Sequence, residues 1–204
     1  MRNTCNISLH RVVKTVLNLT HINHHDLPFD MTLNTRKTTS PDPLELLGAG
    51  THFHDEFCGM LESSQMFNDL EWSEIEALSN YMKGYRVREG ATLFREGENG
   101  NYMCLVIEGR VDVHKENRDF EDKIVTSIDS GKTLGEMAMV DGEPRSATAI
   151  AATETTLAIL TRDSFNRLIK EKPALGVKIL MKISRLLSQR LRRTCGILVD
   201  YLED

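Results

Sequence analysis

A chain of 204 residues and 23.1 kDa is long enough for one domain with a real core and appendages. Its 40% hydrophobic and 27% charged residues fit a soluble globular protein. No apolar run approaches the roughly 18 residues of a membrane helix, so no membrane partner is expected. A net charge of −5 and a pI near 5.8 argue against nucleic acid, which clustered Lys and Arg bind, and leave an anionic small ligand open.

Residues Met1 to His25 contain no Asp or Glu but carry Arg2, Arg11, Lys14 and four of the seven histidines. A basic targeting presequence, a metal site at His24 and His25, and a start codon assigned too early, with Met31 as a second start, all compete; the last is preferred. From Asp26 to Gly50 the chain is rich in Thr, Ser, Pro and Gly, including "TTSPDP", which reads as linker. Residues 1–50 are therefore expected to be a disordered or mis-assigned extension, and residues 51–204 one domain. Cys5, Cys58, Cys104 and Cys195 show no Cys-x-x-Cys pair, which points to reduced thiols in a cytoplasmic setting.

Helical spacing begins in "HDEFCGMLESSQMFNDL", with Phe57, Met60, Leu61, Met66, Phe67 and Leu70, and recurs in "EWSEIEALSNYM" with Trp72, Ile75, Leu78 and Met82. Between about 83 and 161 the pattern changes to short β-type runs, "YRV", "ATLF", "YMCLVI", "RVDVH", "KIVTSI", "ATAIA" and "TLAIL", punctuated by glycines. Such runs predict an antiparallel jelly-roll barrel. Helices return over about 162–202, first "RDSFNRLIK" and then a long helix opened by Pro173. The fold class is thus α+β: a jelly-roll barrel flanked by N-terminal helices and a long C-terminal helix. Leu180, Leu187, Thr194 and Tyr201 recur every seven residues on that helix. They could form a homodimer seam or pack on the helix's own barrel.

The stretch "GEMAMVDGEPRSATA", Gly135 to Ala149, suits neither a buried strand nor a long helix. A glycine turn opening one helical turn offers oriented N–H groups to an anion. Pro144 stiffens the approach to Arg145, whose planar fork matches paired phosphate oxygens. Glu136 can only accept hydrogen bonds, so a sugar hydroxyl is its natural complement, while Ser146 adds a hydroxyl and Ala147 leaves room for close approach.

The order G-E-apolar-A-apolar, a short insert, then P-R-S-A-T resembles the phosphate-binding cassette of cyclic-nucleotide-binding domains. "LFREGENGNYMCLVIEGRVDVH", Leu93 to His114, is similar to that family's first hairpins, and the likeness runs from about Phe57 to Leu202. It implies a jelly roll with a C-terminal lid helix. It also implies that Glu136 holds the ribose 2′-hydroxyl and Arg145 the cyclic phosphate, with Gly135, Met137, Ser146 and Ala147 adding backbone or hydroxyl contacts. "QRLRRTC", Gln189 to Cys195, resembles the catabolite activator branch, which makes Arg190 and Thr194 base-contact candidates; Arg190 could equally belong to a solvated basic face. Ser146 fits either cAMP or cGMP, with cAMP favoured.

The function implied is a sensor that binds cAMP or cGMP and moves its C-terminal helix against an effector protein, without catalysis, metal or DNA, since no helix-turn-helix follows. A degenerate cassette kept as a dimerisation scaffold, with Arg145 paired to Glu136 or Glu143, is the alternative. A metal-dependent cupin-type enzyme using "HFHDE", His52 to Glu56, is a remote one. "RKTTS", Arg36 to Ser40, is read as a chance basic match.

Overall fold

The computed structural model describes residues 44–47, 51–116 and 122–202. The presequence, His24–His25, Met31 and "RKTTS" readings lie outside the described residues, as does the side chain of His52. Helices α1 (Thr51–Glu62) and α2 (Trp72–Ser79) precede the sheets, and α4 (Arg162–Glu171) and α5 (Pro173–Leu202) follow them. The strands between are β2 (Met82–Val87), β3 (Thr92–Phe94), β4 (Tyr102–Glu108), β5 (Arg110–Glu116), β6 (Asp122–Asp129), β7 (Thr133–Leu134), β8 (Thr148–Ala151) and β9 (Thr155–Thr161), with the short helix α3 (Glu136–Asp141) between β7 and β8.

With β1 (Leu44–Leu46), the strand pairings are all antiparallel and form two sheets, ordered β1-β2-β9-β4-β7 and β3-β8-β5-β6. The jelly-roll expectation holds as two sheets rather than a closed barrel. Strand β1 pairs with β2, Leu44 opposite Val87. The linker reading of 26–50 did not anticipate it, because three residues carry no usable periodicity.

Strands β4 and β9 explain why their sequences are continuously apolar. Cys104, Val106, Leu157 and Ile159 join the core between the sheets, while Met103, Leu105, Ala158 and Leu160 join the core shared with the helices. Side chains alternate across a strand, so a strand covered on both faces must be apolar at every position.

The first helix stops at Glu62, sooner than the apolar spacing implied. The Ser64 hydroxyl donates to the Leu61 carbonyl at 2.6 Å, and Met66, Phe67 and Leu70 are buried from turns. A serine that bonds the preceding turn competes with helix continuation.

Thr161 switches β9 into α4, its side chain accepting from the Ser164 N–H at 3.1 Å. Ile179 and Ile183 then anchor the first half of α5 in the helical core, each burial contributing about 1.5–3 kcal/mol. Lys178 to Glu74, at 2.5 Å, and Lys182 to Asp69 add ion pairs from α5 to the α2 region. Of the heptad stripe, Leu187 packs on the helical core, whereas Leu180, at 39%, and Thr194 are exposed. Tyr201's side chain lies outside the described residues.

Candidate functional site

Strand β7 ends at Leu134, and Gly135, at φ 77°, turns the chain into α3. Left-handed backbone at this point favours glycine. A Cβ on Gly135 would also stand 2.6 Å from Arg145 Nη1. At the other end of α3, the Arg162 guanidinium donates to the Met139 carbonyl at 3.0 Å and to the Ala138 carbonyl, closing the helix.

Arg145 is 3% exposed. Its main chain is fixed to the preceding turn, its N–H donating to the Glu98 carbonyl at 2.8 Å and its carbonyl accepting from the Gly97 N–H at 2.9 Å. Its Nη1 donates to the Gly135 carbonyl at 2.9 Å, while Nε and Nη2 have no partner. The guanidinium carbon lies 4.1 Å from the Phe94 ring centroid and 4.4 Å from that of Tyr102. Arg145 forms no ion pair with Glu136 or Glu143, so the internally neutralised arrangement is not the one adopted. An unpaired buried charge carries a desolvation penalty of several kcal/mol, which an incoming anion would relieve.

Glu136 is 1% exposed, and its Oε1 accepts from Arg190 Nη1. Arg190 Nη2 donates to the Thr133 carbonyl. The Arg190 side chain, 40% exposed, thus ties α5 to the cassette, a contact that neither the base-contact nor the solvated-face expectation included. Burial pushes the Glu136 carboxyl above its ordinary value, opposed by Arg190 and Arg145. Beneath, burial drives the Cys104 thiol up to about 12, which keeps it neutral.

Thr133 Oγ1, Glu136 Oε2, Arg145 Nε and Arg145 Nη2 are the buried side-chain polar atoms without a hydrogen-bond partner among the described residues. All belong to residues 133–145. Buried polar groups are ordinarily satisfied, so such a cluster marks a place built for a polar ligand. Two donors on a cation and an acceptor on a carboxylate complement an anion that also carries a hydroxyl.

Of the remaining expected residues, Met137, Ser146 and Ala147 adjoin the cluster in sequence and Thr194 lies on α5. Met137 and Ser146 are exposed, the Ser146 hydroxyl 4.0 Å from Met137 Sδ, and Ala147 is half-buried just before β8. Lys115 Nζ donates to the Ser146 carbonyl at 2.8 Å and to Glu96 at 2.7 Å, fixing the cassette's exit. Thr194 is exposed, its hydroxyl donating to the Arg190 carbonyl one turn earlier at 3.0 Å. Sequence reasoning missed Thr133, Lys115, Phe94, Tyr102 and Gly100. Only the likeness of Leu93 to His114 to known hairpins hinted at the last three.

The "HFHDE" histidines take no part in the cluster as far as they are described. His54 Nε2 lies 3.5 Å from Ser79 Oγ and 3.7 Å from Cys58 Sγ, where α1 packs on α2. Among the described residues no three His, Cys, Asp or Glu groups gather to hold a metal. No helix among them is long and apolar enough to cross a membrane.

Residues 85–172 match the family model described as the cyclic nucleotide-binding domain. The structure is similar to a cyclic nucleotide-binding domain from Methylobacillus flagellatus KT, with 30% identity and a TM-score of 0.68, covering 78% of this chain and 89% of that one. The chain belongs to the cyclic nucleotide-binding domain family. This domain is 29% identical over 143 residues to the CRP-like cAMP-activated global transcriptional regulator of Mycobacterium tuberculosis, covering 70% of this chain and 62% of that protein. It is 31% identical over 126 residues to a cAMP-dependent protein kinase regulatory subunit of Yarrowia lipolytica, covering 61% and 33%. The chain thus spans less than two thirds of these regulators' lengths.

Glu136→Gln separates binding from stability. A carboxyl held above its ordinary 4.5 keeps its proton more tightly folded than unfolded, so its effect on stability is most favourable below 4.5 and is lost as pH rises through the raised value. The neutral amide is expected to abolish that loss, seen in thermal melts between pH 4 and 8. It is also expected to weaken ligand binding by about tenfold, the scale of one hydrogen bond to a charged group.

Proposed function

We propose that residues 51–204 act as a cyclic-nucleotide sensor that binds a cyclic purine mononucleotide, cAMP in preference to cGMP, and reports its occupancy to a partner protein through α5. The observation that carries this reading is the cluster of four unpartnered buried polar atoms at Thr133, Glu136 and Arg145. Arg145 Nε and Nη2 suit two oxygens of a cyclic phosphate, and Glu136 Oε2 suits a ribose 2′-hydroxyl. The Gly135, Met137 and Ala147 backbones and the Ser146 hydroxyl complete the cradle. The preference for cAMP draws support from relatives named as a cAMP-activated regulator and a cyclic AMP receptor protein.

Arg190 supplies the coupling. It takes Oε1 of Glu136 and leaves Oε2, so α5 and the ligand hydroxyl address different oxygens of one carboxylate. Each orients that carboxylate for the other, which makes ligand binding and helix position thermodynamically linked. Catalysis, metal and DNA are no part of this reading, and its setting is the cytoplasm.

Thermal denaturation with cAMP, cGMP and the linear 5′-monophosphates tests it. Cyclic nucleotides are expected to raise the midpoint and linear ones to do so far less. Equal shifts would point to generic phosphate binding. Thr194→Ala is expected to change the cAMP-to-cGMP affinity ratio by about threefold to tenfold, the range of one neutral hydrogen bond. Equal losses for both nucleotides would remove Thr194 from base recognition.

A cassette retained as a dimerisation scaffold is the second reading, favoured by the exposed Leu191, Ile197, Leu198 and Val199 on α5. Concentration-dependent sedimentation with no nucleotide response would support it.

A further inference from the structure

We infer that Phe94 and Tyr102 are positioning residues for Arg145, forming a two-walled aromatic cage that holds its charge without consuming the N–H groups meant for the ligand. The inference rests on the reading of Arg145 as a phosphate-binding group.

A buried guanidinium is ordinarily stabilised by a carboxylate, which would neutralise its charge and occupy its donors. Arg145 has none. Aromatic rings attract the cation through their electron-rich faces and leave its in-plane N–H groups free. Here the guanidinium carbon lies 4.1 and 4.4 Å from the two ring centroids, and the rings stand 6.2 Å apart at 71° to each other. They form two walls of a corner. The Tyr102 hydroxyl donates to the Leu93 carbonyl at 2.8 Å, pinning its ring to the strand that carries Phe94. Glycines close other sides, since a Cβ on Gly100 would stand 2.7 Å from Arg145 Nε and one on Gly135 2.6 Å from Nη1. The Nη1 bond to the Gly135 carbonyl fixes the rotation that remains, and Nε with Nη2 is the edge left over.

The cage acts through the phosphate alone, which makes it separable from general packing. Phe94→Leu, Tyr102→Leu and Tyr102→Phe in the full chain are titrated with cAMP, cGMP and adenosine, which lacks the phosphate. Each leucine variant is expected to weaken both cyclic nucleotides by the same factor of about ten and leave adenosine unchanged. Tyr102→Phe, which keeps the ring, is expected to retain affinity. Parallel loss of adenosine would make the rings mere packing and overturn the inference, as would unchanged cyclic-nucleotide affinity in both leucine variants.

Should both leucine variants fail to fold, nitrogen-15 correlation spectra of the wild type decide. A ring-current-shifted, slowly exchanging Arg145 Nε–H supports the cage, and an unshifted, fast-exchanging one overturns it. If the wild type binds neither nucleotide, the site reading itself fails and the inference with it. Wild-type binding that Arg145→Ala loses but the leucine variants keep defeats only the cage.

Discussion

Arg145→Ala is expected to weaken cyclic-nucleotide binding by about 2 to 5 kcal/mol, the scale for removing one partner of a desolvated charge pair. Stability is expected to respond differently. The unliganded protein buries the guanidinium with two N–H groups unpaired and one bond to the Gly135 carbonyl, so alanine removes a penalty together with two ring contacts. A small change in melting midpoint beside a large loss of affinity is the signature of a residue kept for its ligand. Equal affinity in the variant, measured by competition against a fluorescent nucleotide, would sink the phosphate assignment.

Gly100→Ala is expected to damage both properties. The added Cβ would stand 2.6 Å from the Ala138 Cβ, 2.7 Å from Arg145 Nε and 2.9 Å from its Cζ. Ala138 is buried in α3 and its Cβ sits directly on the backbone, so Gly100 and α3 must separate. Overpacking of this kind destabilises by about 1–3 kcal/mol. Displacing the Arg145 edge should cost at least about tenfold in nucleotide affinity, because positioned groups lose effect with small misplacements. Gly59, in α1, is the control, since a Cβ there meets nothing within 4 Å. Gly59→Ala should leave affinity unchanged. Similar affinity losses in both variants would show that the close approach at Gly100 has no special role.

What the sequence made legible follows from how far each signal reaches along the chain. All seven β-type runs became strands; six bury apolar residues, whereas β6 is exposed except at Ile128 and was legible from its β-branched residues alone. The two strands that escaped, Leu44–Leu46 and Thr133–Leu134, are three and two residues long, below any periodic signal. Met66, Phe67 and Leu70 kept a helical spacing yet fold as turns, since burial rewards the residue and not the conformation. Within the site, Gly135, Glu136 and Arg145 were found through the local order of one loop. Arg190 was singled out but its partner was not, because Glu136 lies 54 residues away in sequence. Phe94 and Tyr102 reach Arg145 only after strand pairing, and nothing between Leu93 and His114 marks two aromatics as walls for an arginine far downstream.

The central claim is that the unpartnered polar atoms of Thr133, Glu136 and Arg145 exist for a cyclic nucleotide. Calorimetric titration of the full chain with cAMP and cGMP tests it most directly. The account predicts micromolar or tighter binding of at least one of them, a free energy of about −8 kcal/mol or better. No heat and no thermal stabilisation with either nucleotide would contradict it.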